Sequence, residues 1–196
     1  VKAGFYILLT SYGELFSDDF ILPTGNLRES RTGAKRANMV IVTKCPNVLS
    51  QEQQNDIRKK LKLTANQDLY FTFIEYDDFV FGENQNINVS QVKKNPKILV
   101  AGIAKPKPFF DFLQNQKDVC LTFPDHHNFN DKDILEIKKL AKNNEIITTE
   151  KDFVRLKGCL PSEQLFYLPI KSAFLSGSEN FNKTILNYVG TGSTNS

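Results

Sequence analysis

Short runs of β-branched and aromatic residues recur along this chain, separated by stretches that carry a helical stripe. That alternation leaves few folds open. The runs fall at 5–10, 39–43, 69–76, 97–103, 119–123, 145–149 and 165–169. Most are continuously apolar rather than alternating, as expected of strands buried on both faces of a parallel sheet. The intervening segments carry helix signals. Ser50 with Gln53 makes a capping box ahead of Ile57 and Leu61. Pro106 and Pro108 suit a first helical turn before Phe109, Phe110 and Leu113. Asn130 is placed to cap a helix whose face is Ile134, Ile137, Leu140 and Ala141. The expected class is therefore α/β, with mostly parallel sheets and flanking helices.

Between the third and fourth runs lies a stretch rich in Asn, Gln and Gly with two short β-like pieces, expected to be a linker over 78–96. The expected division is 1–77 for one domain, 97–173 for a smaller α/β domain, 174–189 for a last helix and 190–196 for a disordered tail.

Composition narrows the function classes. A net charge of +3 with Lys spread in short pairs, unaccompanied by interleaved aromatics, argues against a nucleic-acid partner. Three cysteines, odd in number and without C-x-x-C spacing, suit free thiols in a reducing, cytoplasmic setting. The apolar runs are far below the roughly 20 residues of a membrane-spanning helix. No two glycines are five residues apart, so G-x-x-x-x-G-K-S/T does not occur, and neither does G-x-G-x-x-G. Nucleotide chemistry would need phosphate-binding parts from outside this chain. Val1 stands without an initiator Met just ahead of the first run, and the chain is expected to be a piece of something longer.

Chemistry is sought first in Phe123-Pro124-Asp125-His126-His127, which holds the only two histidines. The segment follows a strand and precedes a helix, where α/β proteins place functional groups. One imidazole there suits a general base oriented by the neighbouring carboxylate Asp125; capping and packing of the turn is the competing explanation. Zinc is a poor fit, since adjacent imidazoles do not readily face one ion and no third His exists. A hydrolase using Asp125, His126 and His127 is accordingly disfavoured, and no metal ligands are assigned. Arg28 and Glu29 lie in a long polar loop, where a guanidinium suits phosphate or sugar oxygens and a surface ion pair is the plainer alternative. Thr148-Thr149-Glu150-Lys151-Asp152 ends a strand in hydroxyls and charges, facing a nucleotide or simply turning the chain.

Five segments together resemble one family: Leu22-Pro23-Thr24-Gly25-Asn26-Leu27-Arg28-Glu29, Arg36-Ala37-Asn38 with the run to Lys44, Gly102-Ile103-Ala104-Lys105-Pro106, Phe123 to Phe129, and Thr149-Glu150-Lys151-Asp152. Their order and spacing, from about Phe5 to Arg155, are similar to the later part of tetraacyldisaccharide 4'-kinase, the lipid A kinase of Gram-negative bacteria. Thr43-Lys44-Cys45-Pro46 looks most like Bacteroidetes-type versions. The resemblance implies transfer of the ATP γ-phosphoryl group, with Mg²⁺, to the 4'-hydroxyl of a tetraacylated disaccharide 1-phosphate precursor of lipid A.

It further implies a P-loop kinase core, of which this chain holds the closing part, plus a smaller α/β domain joined by a β linker. His126 matches the family's catalytic histidine; Arg28 and Glu29 match a segment implied to contact the lipid headgroup; Asp125 is supporting. The P-loop and a helix that meets the inner-membrane surface would lie upstream of Val1. On that reading the fragment alone binds no ATP and is inactive. A non-catalytic α/β binding module is the alternative. Thr24, Ser30, Asn38 and Ser11 depart from the family's usual Ala, Pro, Asp and Asp.

Overall fold

The computed structural model describes residues 4–25 and 30–192. Its main chain falls into two compact units. One takes the described residues up to Glu75 and those from Ser172 onward; the other is Tyr76–Lys171.

The first unit is a four-stranded sheet in the order β1 (Ile7–Ser11), β2 (Met39–Cys45), β3 (Asp68–Tyr76) and β10 (Ile170–Phe174). β2 runs parallel to both β1 and β3, and Met39, Val40 and Val42 on it are fully buried. β1 was expected to be buried as well. It is instead an edge strand with one face uncovered among the described residues: Ile7 is 42 % and Leu9 62 % exposed, while Leu8 and Thr10 on the other face turn inward. A short 3₁₀ helix (Arg31–Arg36) precedes β2 and α1 (Gln51–Lys60) follows it. The capping box of α1 is present: Gln53 N–H donates to Ser50 Oγ, and Ser50 N–H to Gln53 Oε1.

Two of the family departures have local uses. Ser30 caps the 3₁₀ helix, and the Asn38 side-chain oxygen accepts the Tyr6 N–H at 2.9 Å, fixing the approach to β1. The last helix, α6 (Ser178–Gly192), begins later and ends later than the expected 174–189, and its Phe181 meets Tyr70 of β3 edge-on at 5.5 Å. The expected disordered tail thus starts inside a helix.

The second unit is a six-stranded sheet in the order β5 (Asn86–Asn88), β4 (Phe79–Phe81), β9 (Leu165–Leu168), β8 (Glu145–Thr149), β6 (Lys97–Ala101) and β7 (Val119–Thr122). The four strands from β9 to β7 are parallel, and β4 and β5 join antiparallel. The two β-like pieces expected of a linker over 78–96 are therefore present, but they extend this sheet. Val80, Val89 and Val92 are buried, so the hairpin and α2 (Val89–Val92) belong to the unit's core. The compact unit therefore starts at Tyr76 rather than the expected 97, ahead of the hairpin, and ends at Lys171 rather than 173, where β10 passes into the other sheet.

β6 shows why its sequence is apolar throughout. Leu99 packs on one face with Phe109, Phe110 and Leu113 of α3 (Lys107–Leu113). Ile98 and Val100 pack on the other with Ile134 and Ile137 of α4 (Asp131–Ala141) and Phe153 and Leu156 of α5 (Glu150–Leu156). Alternate residues feed opposite cores, the arrangement a two-sided parallel sheet requires.

Candidate functional site

Strand order in the second unit places the site. From β6 the chain crosses to β7 on one side; β8 and β9 then lie on the other. The reversal makes the carboxyl ends of β6 and β8 a topological switch point, where open α/β sheets bind ligands. Here it is plugged by a side chain. Asp152, fully buried, accepts the Gly102 N–H at 2.7 Å and the Thr149 hydroxyl at 2.8 Å through Oδ2. A Cβ on Gly102 would come within 3.1 Å of Asp152 Oδ1 and would press the carboxylate back by a few tenths of an ångström. Thr149 caps α5 by accepting the Asp152 N–H, and the Thr148 hydroxyl donates to Val100 O at 2.8 Å. The threonines and Asp152 of this segment thus weld β8 and α5 to β6.

Beside the weld, β7 delivers the histidines. Pro124 to His127 form a turn closed by the His127 N–H donating to Pro124 O at 3.1 Å. His126, at its third position, has φ +60°, a left-handed conformation that costs a non-glycine residue about 1–2 kcal/mol. Its side chain is 73 % exposed, and Nε2 lies 3.7 Å from Asp125 Oδ2, beyond hydrogen-bond reach. Asp125 Oδ1 accepts the His126 N–H at 3.0 Å and the Lys151 ammonium at 2.7 Å. The hydrogen bond from Lys151 is the main reason that the Asp125 carboxyl is held below its ordinary range, with charge attraction from His126 and Lys151 adding to it.

His127 is differently engaged. Its Nε2 lies 2.8 Å from Asp133 Oδ2, and the ring stacks on Phe123 at 5.0 Å and meets Phe129 edge-on at 5.2 Å. Asp133 also accepts the Asn130 N–H at 2.9 Å, completing the capping box of α4. These two contacts, the backbone one first, hold the Asp133 carboxyl below its usual range. A carboxylate only accepts, so His127 Nε2 carries the proton of this bond. Arg155 donates to the His127 carbonyl at 3.4 Å. The adjacent histidines therefore separate: His127 is bound into the fold and His126 is presented to solvent.

A stability consequence follows. A carboxyl whose folded pKa is depressed stabilises the fold above its unfolded value and loses that contribution as pH falls through the folded value. Urea midpoints of the parent chain are expected to fall below about pH 4 more steeply than those of Asp133→Asn. Parallel acid limbs would show that Asp133 contributes nothing to the acid dependence.

Sequence reasoning missed Lys151 and Arg155 as neighbours of the turn. Lys151 is 26 positions from Asp125, and only the β8–β6–β7 order brings them together. Asp125 was expected to orient the imidazole, but its Oδ2 stands 3.7 Å from His126 Nε2, too far for a hydrogen bond, and it bonds the His126 N–H instead; Arg28 and Glu29 lie outside the described residues. Close to them in sequence, a cavity of about 370 Å³ in the first unit is lined by Tyr6, Ile7, Phe16, Arg31 and Arg36, among others. Arg31 there donates to Asp19 O at 2.7 Å and lies over the Phe20 ring. Among the described residues no three His, Cys, Asp or Glu side chains gather as an ion would need. None of their helices is long and apolar enough to cross a membrane. Burial pushes the Cys45 thiol up to about 11, which makes it a poor nucleophile near neutral pH.

Comparison with known proteins adds the lineage. A family model described as tetraacyldisaccharide-1-P 4'-kinase matches residues 1–190. The tetraacyldisaccharide 4'-kinase of Flavobacterium johnsoniae is 58 % identical over 96 % of this chain and 56 % of its own length. That of Bacteroides thetaiotaomicron is 39 % identical over the whole chain and 58 % of its own length. A crystal structure described as an "apo" form of LpxK from Aquifex aeolicus in complex with ATP aligns with a TM-score of 0.64 at 21 % identity, covering 93 % of this chain and 52 % of that one. The chain thus spans a little over half the length of the curated relatives it matches. On these matches, and on a mostly parallel α/β fold shared with LpxK, the chain belongs to the tetraacyldisaccharide-1-P 4'-kinase family.

Proposed function

We propose that this chain is part of a lipid A kinase, and that His126 is the proton acceptor of its reaction. The intact enzyme transfers the γ-phosphoryl group of ATP to the 4'-hydroxyl of a tetraacyldisaccharide 1-phosphate. The observation that carries the base assignment is the contrast between the histidines: a 73 % exposed His126 on a left-handed turn, beside a His127 tied to Asp133. Lys44, Lys62 and Lys142 are left-handed too, so the weight rests on the combination at His126 of a left-handed backbone with an exposed imidazole at the end of a parallel strand. As the sugar hydroxyl attacks phosphorus, its proton passes to the His126 imidazole, the new O–P bond forms, and ADP leaves with the electrons of the broken bond. Such a base assists a reaction governed mainly by positioning and charge neutralisation.

The residues of this chain do not fit a site for Mg²⁺–ATP phosphates. The sequence has no P-loop pattern, and no carboxylate cluster stands among the described residues. We assign that grip to the part of the kinase this chain does not span, along with contact to the inner-membrane surface. The enzyme is read as cytoplasmic and peripheral to that membrane. Arg28 and Glu29 are assigned to the disaccharide headgroup, for which a guanidinium loop is suited. Transfer of labelled phosphate from ATP to the acylated acceptor is expected from the full-length kinase and not from this chain alone. Tight saturable ATP binding by this chain would overturn the division of labour, and a full-length protein inert toward the acceptor would overturn the reaction.

A further inference from the structure

We infer that Lys151 is a positioning residue for His126, acting through Asp125; the inference deepens the proposed function and its catalytic arm rests on it. The ammonium of Lys151 and the backbone N–H of His126 share one oxygen, Asp125 Oδ1, at 2.7 and 3.0 Å. Asp125 is the second residue of the turn whose third residue is left-handed His126. Holding the carboxylate therefore holds the peptide that sets the ring's direction.

A lysine on a loose surface would be a poor clamp, because a flexible exposed pair is worth little. The Lys151 and Asp125 side chains are 37 % and 40 % exposed, so the clamp depends on the backbone beneath Lys151 being fixed. The next residue, Asp152, is fully buried and fastened to Gly102 and Thr149, so α5 begins from a fixed point on the sheet. One turn further on, Arg155 donates to the carbonyl of His127. The first two turns of α5 thus hold the histidine turn on both sides of His126, and the 126 ring is left without a hydrogen bond of its own within reach of Asp125. Lys151 takes Oδ1 of the carboxylate, while Oδ2 is the oxygen that stands 3.7 Å from the ring.

Two measurements test this. On this chain, with histidines labelled for NMR, Lys151→Met is expected to move the His126 amide and ring signals while the His127 ring, paired to Asp133, stays in place; Lys151→Arg restores the parent positions. Unmoved His126 signals in Lys151→Met overturn the inference whatever the enzyme does. In the full-length kinase, Lys151→Met is expected to lower kcat roughly 10- to 100-fold at nearly constant KM, the scale of a misplaced catalytic group. Lys151→Arg recovers most of the loss, and in a His126→Ala background Lys151→Met adds no further loss. A slow His126→Ala enzyme with a Lys151→Met enzyme at the parental rate overturns the inference alone. Parental rates in His126→Ala itself reject the base assignment instead.

Discussion

His126→Ala in the full-length kinase is expected to lower the rate of sugar phosphorylation by roughly 10²–10⁴-fold, the range for a positioned acid–base group. The loss should fall on kcat and leave KM for the lipid acceptor little changed. The ring has no hydrogen bond among the described residues, and in the proposed role it acts as the hydroxyl proton leaves, so removing it would withdraw an interaction specific to the transition state. Stability should change little: a 73 % exposed side chain contributes little packing, alanine meets the same left-handed penalty, and the turn's carboxylate clamp stays in place. His126→Gly would go further in stability, because glycine meets no penalty at φ +60°. His127 is the contrasting control. Its alanine variant breaks the Asp133 bond and the stack on Phe123, so its defect is expected in folding before catalysis. A His126→Ala enzyme at the parental rate would remove the imidazole from the mechanism.

Much of the second unit could be read from sequence because its signals are local. An apolar run such as Ile98 to Ala101 declares a strand covered on both sides, and Asn130 with Asp133 declares a helix start; both are as expected. What depends on pairing between distant segments was not legible. β10 went unread because Ile170 to Phe174 has three exposed residues and no clear alternation, and only its place beside β3 makes it a strand. β1 was read as buried because its residues are apolar, whereas burial is decided by what covers each face, and one face of β1 is left exposed. The hairpin of β4 and β5 looked like a linker because its Asn and Gln residues outnumber the one buried valine, Val80, that anchors it.

The candidate site divides in the same way. Asp125 and His126 are adjacent in the chain, and the strand-to-helix position pointed to them. The difference between His126 and His127 could not be deduced, since Phe123, Phe129 and Asp133 claim one ring only once the turn is folded. The Thr-Glu-Lys-Asp segment was noticed for its charges, but its use required the order β8–β6–β7: Asp152 reaches β6 while Lys151 reaches the end of β7.

At the other end of those strands, Asp118→Ala is expected to destabilise the second unit by about 3–5 kcal/mol, the cost of stranding a buried charge. Lys97 Nζ and Asp118 Oδ2 are 2.6 Å apart with both side chains fully buried. Asp118 also accepts the Lys97 N–H at 3.1 Å and the Asn115 N–H at 2.7 Å, so one carboxylate ties the start of β6 to the loop that leads into β7. Its removal leaves the ammonium, among the described residues, with a hydrogen bond to the Asn95 carbonyl at 3.3 Å. Lys97→Met should cost less, because the carboxylate left behind keeps two backbone donors and the methionine stem fills the volume of the lysine stem. Urea unfolding of the two variants would decide the order, and an Asp118→Ala chain within about 1 kcal/mol of the parent would mean that solvent reaches the pair. Because the pair sits at the amino ends of β6 and β7 and the histidine turn at the carboxyl end of β7, the His126 NMR signals of folded Asp118→Ala should match the parent's. Loss of stability with an intact turn would show that the second unit keeps its structural charge pair and its proposed proton acceptor at opposite ends of one sheet, each able to change without the other.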